Sequence, residues 1–246
     1  MSIDLTLLKL LIRLRQKLPG EEPRRLLSLG YPDALIAAPD YQRVLGPEKA
    51  ARLEWRDDSE SVLRWHGLNG KIDRIVQSHS LFSLCGYTLD CMDISAARGD
   101  EIIVDMNKPL PPEHEDQFDV VFDGGSLEHC FNVAQGIKNM ALACKVGGFC
   151  VNINPLNVYN HGFYNMSPTF YADFYGCNGF QVSDIVMLSG HYGTMQPPKV
   201  TPLPPIGRFD EAPQRATIMA VAQKTSASEI AWPIQAKYRK NPHLKA

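Results

Sequence analysis

The chain has 246 residues, of which 44% are hydrophobic and 21% charged, which excludes collagen-like and wholly disordered classes. At ~150 residues per domain, the length fits one elaborated domain or two small ones. Twenty-five Lys and Arg against 27 Asp and Glu leave a net charge of −2, so the molecule as a whole is no polyanion binder. Its six cysteines include no Cys-x-x-Cys pair, which removes zinc-ribbon and thioredoxin-type readings. Several lie in apolar runs, where a thiol acts as a small hydrophobe, and they point to a reducing, cytoplasmic setting.

Residues 3–18 read as an amphipathic helix with Leu7, Leu8, Leu11, Leu14 and Leu18 on one face. That face fits packing against the domain or a second subunit, with a membrane surface as the alternative. The first residues lack the basic start and cleavage site of a signal peptide, and their apolar run is broken by charges. Arg24–Asp33 (RRLLSLGYPD) predicts a short buried strand ending in a turn, and residues 76–86 a helix closing at Gly86. Residues 34–75 carry only short helical patches and read as an insertion.

Four apolar runs then predict strands over 87–94, 101–104, 118–122 and 148–153. A helix with Asn132 as its N-cap lies between the last two, ending in the cationic, glycine-closed turn Lys145–Gly148. Ser167-Pro168 opens another helix, and 181–188 and 216–223 are strands with no helix between them, hence antiparallel. Residues 196–213 form a proline-rich loop suited to a lid. The chain therefore divides into an N-terminal helix (1–20), a single domain (21–224) and a polar, basic tail (225–246). Alternating strands and helices specify a mostly parallel α/β sheet with an antiparallel edge strand.

Ligands of such sheets sit beyond the carboxyl ends of the strands. The first strand delivers Ser28 and Gly30, the second Asp93 and Ile94, the third Asp105 and Met106, the fourth Asp123 and Gly124, the fifth Asn154. A carboxylate after the second strand can accept both ribose hydroxyls of a nucleotide-like cofactor. His129 and His161 stand near the expected mouth as bases, with Tyr164 beside them; His191 and Tyr192 are weaker candidates. Asp123, Glu128 and His129 also allow a metal reading, although no compact motif such as His-Glu-x-x-His is present.

Five segments, DIS (93–95), DMNKPLP (105–111), FDVVFDGGSLEHCFN (118–132), KVGGFCVNINP (145–155) and NHGFYNMSP (160–168), give residues 87–180 their character. This stretch resembles class I S-adenosylmethionine-dependent methyltransferases, most of all a bacterial branch of polysaccharide and natural-product gene clusters. The resemblance implies a doubly wound, Rossmann-like sheet of seven strands and S-adenosyl-L-methionine as cofactor. It assigns Asp93 to the ribose, Asp105 and Met106 to the adenine, and the Asp123-Gly124 turn to the methionine end. Ser28, Gly30 and Ile94 complete that cofactor set. It implies O-methylation of a sugar, glycan precursor or secondary metabolite, with His161 or His129 as base and Tyr164 orienting the acceptor; N-methylation stays open. The family's glycine-rich first loop is replaced here by SLGYPD (28–33), where Gly30 stands alone and Pro32 has no N–H. A methyltransferase-like binding module without catalysis, a metal-assisted O-methyltransferase and a nicotinamide-dependent oxidoreductase are the rival readings. The partner is a small molecule or glycan; a homodimer and a peripheral membrane contact stay open, and no nucleic-acid motif is present.

Overall fold

The computed structural model describes residues 2–191, 196–204, 208–209 and 211–239. Strand β1 (Ser2–Ile3) pairs in parallel with β3 (Asp33–Ala34), flanking helix α1 (Leu5–Lys17) and strand β2 (Arg24–Leu29). Asp4 caps α1, its carboxylate accepting the Leu7 N–H at 2.8 Å. Leu7, Leu8, Leu11 and Leu14 are buried against the chain's own sheet, so this leucine face is used within the chain. Helices α2 (Ala38–Leu45), α3 (Pro47–Ala50), α4 (Ser59–Trp65) and α5 (Ser78–Leu84) follow. Around α4 a small core of Leu63, Leu68, Ile72 and Ile75 stands apart from the two main clusters. Ile36, Tyr41 and Leu53 of the same stretch join a main cluster instead, so residues 34–75 divide their apolar positions between two cores.

Next come β4 (Tyr87–Asp93), β5 (Ile102–Ile103), β6 (Phe118–Asp123), α6 (Val133–Ala143), β7 (Cys144–Pro155), α7 (Pro168–Cys177), β8 (Phe180–Ser189), β9 (Lys199–Pro202), β10 (Thr217–Lys224) and α8 (Ala236–Arg239). The main sheet runs β5-β4-β2-β6-β7-β10-β8-β9. From β5 to β7 the pairings are parallel; β10 lies antiparallel to both β7 and β8, and β9 antiparallel to β8. The doubly wound, mostly parallel sheet with antiparallel pairing toward one edge is thus present, with eight strands where seven were expected. The eighth, β9, falls in the proline-rich stretch read as an unstructured loop. Alternate residues of β2 and β6 feed opposite cores, Leu26 and Val120 toward α1, Leu27 and Val121 toward α6 and α7. Among the described residues no helix is long and apolar enough to cross a membrane. All six cysteines are free.

The expected end of α6 needs correction. The helix stops at Ala143 and the chain passes straight into β7, so Lys145–Gly148 is strand and not a cationic last turn. Lys145 pairs instead with Asp119 at 3.3 Å. The cation at the helix end is Lys224 of β10, buried, whose Nζ donates to the carbonyls of Ala141 (3.0 Å) and Cys144 (2.7 Å) and to Asp116 (2.9 Å). It meets carbonyls that the helix leaves unsatisfied at its C-terminus.

Candidate active site

Strand order reverses on either side of β2, with β4 and β5 to one side and β6 and β7 to the other. The carboxyl ends of these strands therefore define the crevice where a ligand is expected. Asp93 closes β4 half-buried, and among the described residues its carboxylate takes one hydrogen bond, a long one from the Ser95 N–H at 3.3 Å. Lone pairs remain for a diol. Ile94 beside it is 69% exposed. Asp105 is less free: Asn107 donates to it from both its side chain (2.8 Å) and its backbone (3.0 Å). Those bonds hold its carboxyl below the usual carboxylate range. The Met106 side chain is buried in the core beside Asn139, whose amide also donates to the Met106 carbonyl at 3.4 Å.

The first loop departs from the expected role. Ser28 is fully buried and its hydroxyl donates to the Gly30 carbonyl at 2.8 Å. Gly30 adopts φ +79°, but its N–H donates to the Met92 carbonyl at 2.7 Å. Neither group is turned to a ligand. Beyond them Asp33 binds Arg56 (2.5 Å), His66 (3.1 Å) and Arg98 (3.4 Å), and Arg98 lies 4.3 Å over the Tyr31 ring. Burial raises the Asp33 carboxyl, but the His66 bond and the charges of Arg56 and Arg98 outweigh it and hold it below its ordinary value. An ion-pair network thus stands where bare backbone N–H groups were expected. Of the residues the resemblance assigned to an S-adenosyl cofactor, Asp93 keeps acceptor capacity for a ribose, whereas Ser28 and Gly30 are engaged within the chain.

The acid–base cluster assembles on the other side of the reversal. Asp123, at the end of β6, is fully buried. It accepts the N–H groups of Gly125, Ser126 and Leu127 and the amides of Asn152 (3.3 Å) and Asn154 (2.7 Å). It shapes the turn and does not itself reach a ligand; Gly124 lines the cavity. Asn154 donates its second amide hydrogen to Glu128 Oε2 at 2.9 Å, and the Tyr171 hydroxyl donates to Asn154 Oδ1. Burial, and then the charge of Asp123, push Glu128 up to about 7. Burial raises the Asp123 carboxyl as well, against the hydrogen bonds from Asn154, Ser126, Asn152 and Leu127 that lower it, so two buried carboxyls share one set of donors.

Glu128 Oε1 faces two imidazoles, His161 Nε2 at 3.6 Å and His129 Nε2 at 3.9 Å. The two rings are 5.1 Å apart. Burial and the neighbouring His161 lower the His129 pKa. The loop carrying His161 is fastened to Glu128: the Phe163 N–H donates to the Glu128 carbonyl at 2.8 Å. Gly162 is required there, because a Cβ would lie 2.7 Å from that carbonyl oxygen. The Tyr164 hydroxyl is spent on the Phe131 carbonyl at 2.7 Å, so it is not presented to an acceptor. A cavity of about 890 Å³ passes Gly124, Glu128, His129, Asn154 and His161 and reaches the N-terminal segment and His191. Tyr192 lies outside the described residues.

The structure therefore brings His129, His161 and Gly124 together around Glu128, and leaves Asp93 and Asp105 on a separate side of the crevice. Glu128, Asn154 and Tyr171 carry more of the site than their sequence context suggested. A signal was present in NINP, where two amides recur at alternate positions of a buried strand.

With β10 reversed between β7 and β8, this is a doubly wound, Rossmann-like α/β sheet, mostly parallel with antiparallel pairing toward one edge. No family model and no curated protein matches the chain. Among solved structures it is similar to the 1,6-didemethyltoxoflavin-N1-methyltransferase of Burkholderia thailandensis, with 11% identity, 90% of this chain and 78% of that one covered, and a TM-score of 0.46. It is similar to TehB from Haemophilus influenzae at 13% identity, with 88% and 62% covered and a TM-score of 0.45. The methyltransferase domain of the citrinin polyketide synthase is 12% identical, with 90% and 52% covered and a TM-score of 0.46. At such identity and overlap, the acceptors of those proteins say nothing of this chain's.

Proposed function

We propose that the chain is a cytoplasmic S-adenosylmethionine-dependent methyltransferase that O-methylates a small hydroxylated acceptor, a sugar, glycan precursor or secondary metabolite. The observation that carries this reading is the strand order, with its reversed β10, together with the Asp93 carboxylate left open at the end of β4. The cofactor supplies an electrophilic methyl group on a sulfonium. Asp93 holds the ribose hydroxyls, Gly124 and Gly125 give a side-chain-free wall, and Glu128, His129 and His161 line the place where the acceptor hydroxyl gives up its proton. Phe131 and Phe163, two residues beyond each histidine, form an exposed edge-to-face pair at 5.4 Å. Such a pair suits an acceptor with an apolar face, as a sugar ring has.

Calorimetric titration with S-adenosylmethionine and S-adenosylhomocysteine, with NAD as control, tests the reading. Micromolar binding of a sulfur ligand but not NAD is expected, with Asp93→Ala weakening it and His161→Ala leaving it intact while turnover falls. Binding of neither sulfur ligand overturns it. One observation favours a second reading, a methyltransferase-like module that binds a partner without catalysis: the spent Gly30 N–H and the Asp33–Arg56–Arg98 network.

A further inference from the structure

We infer that Glu128, His129 and His161 form a binding site for one divalent transition-metal ion at the floor of the cavity. Their ligating atoms all lie within 4.8 Å of one another. Both Nε2 atoms approach the same carboxylate oxygen, at 3.6 and 3.9 Å. Those separations are too long for hydrogen bonds. They are close to the spacing between neighbouring ligands of a tetrahedral ion with ~2.0–2.2 Å bonds, about 3.3–3.5 Å. Small rotations of two half-exposed rings close the remainder.

The carboxylate is positioned as a ligand and not as a surface acid. Glu128 is 1% exposed, and Asn154 occupies its Oε2, turning Oε1 toward the rings. Asn154 is held in turn by Tyr171 and Asp123. Outer partners of this kind fix ligand orientation in metal sites. The two ligand-bearing segments are joined by the bond from the Phe163 N–H to the Glu128 carbonyl, so the histidines are held near each other before any ion arrives. Two imidazoles and one carboxylate select zinc, manganese, iron or cobalt over magnesium and calcium. Asp123, the third member of the metal reading made from the sequence, is buried behind Asn154, and His161 takes its place.

Three protein ligands leave positions open toward the cavity. On the methyltransferase reading, on which this role but not the binding itself rests, an acceptor hydroxyl enters there. Its pKa falls on coordination, its proton leaves to water, and the imidazoles hold the ion instead of taking the proton.

The test uses tag-free full-length protein, stripped with a chelator and titrated with Co²⁺. The expected result is about one equivalent bound, with weak visible bands of a nitrogen–oxygen site, and displacement by Zn²⁺. His129→Ala/His161→Ala should lose more affinity than the ~10–100-fold that removal of an outer partner costs, and Asn154→Ala that outer-partner amount. Unchanged affinity in the double variant, no retained metal, or an intense thiolate band from the cysteines overturns the site. Homocysteine-ligand calorimetry on the same samples separates the two readings. Protein that binds S-adenosylhomocysteine but no cobalt refutes the metal site alone, and the reverse refutes the methyltransferase reading alone.

Discussion

Replacing Asn154 by alanine should be among the most costly single changes in this protein. Its amide joins three buried groups: it donates to Asp123 at 2.7 Å and to Glu128 at 2.9 Å, and accepts from the Tyr171 hydroxyl. Asp123 keeps four other donors, so its loss sits near the low end for a bond to a charge, about 1.5 kcal/mol. Glu128, pushed up to about 7, loses a bond of mixed neutral and charged character, about 1 kcal/mol. Tyr171 is fully buried, and its orphaned hydroxyl adds about 1–3 kcal/mol. The total is about 4 kcal/mol, measurable by urea unfolding at neutral pH. Tyr171→Phe alone leaves Asn154 Oδ1 unpaired and costs about 1–2 kcal/mol. The double variant removes both ends of that bond, so it should be about 1.5 kcal/mol more stable than the sum of the singles predicts. A cost below about 1 kcal/mol for Asn154→Ala, or additivity within ~0.3–0.5 kcal/mol, would refute the network argument.

Lys224→Met should destabilise the fold by about 2–4 kcal/mol in the same unfolding assay, because two buried carbonyls at the end of α6 lose their donor. Asp116→Asn, at an exposed partner of the same ammonium, should cost less than about 1 kcal/mol; equal losses would contradict the capping role. Asp33 sits below its ordinary pKa, so the unfolded chain binds its proton first as pH falls. Its contribution is fully present above ~4 and is lost as pH drops through the lower folded-state value, so the urea midpoint should fall more steeply below pH ~4 in the native chain than in Asp33→Asn. Matching slopes would reject it. Gly162→Ala forces a Cβ to within 2.7 Å of the Glu128 carbonyl oxygen and should move the His161 loop away, at a cost of about 1–3 kcal/mol. Cobalt affinity should fall with it while binding of S-adenosylhomocysteine stays; retained cobalt affinity would show that the loop contact does not place the ligand.

What the sequence displayed and what it hid divide along a physical line. Short-range grammar was legible: Asn132 at a helix start, proline after Ser167, and the apolar runs that became β2, β4, β6 and β7 all act through neighbours a few residues away. The parallel order followed from the alternation of strands and helices, since a parallel pair needs a crossover. The misreadings each involve a partner far along the chain. Lys145–Gly148 has the local pattern of a helix end, but the helix end is served by Lys224, about 80 residues later. Ser28 and Gly30 stand at the right strand end for a cofactor, yet the Gly30 N–H is taken by Met92 of the adjacent strand. Asp123 looked like a ligand-facing acid because strand ends usually open into the crevice. Asn152 and Asn154, 29 and 31 residues on, turn it into the keystone of a buried turn. By splitting its two hydrogens between the carboxylates, the same amide that hides Asp123 leaves one Glu128 oxygen aimed at His129 and His161. A sequence names the acids and the histidines, but which carboxylate faces the histidines is decided by a single asparagine on the next strand.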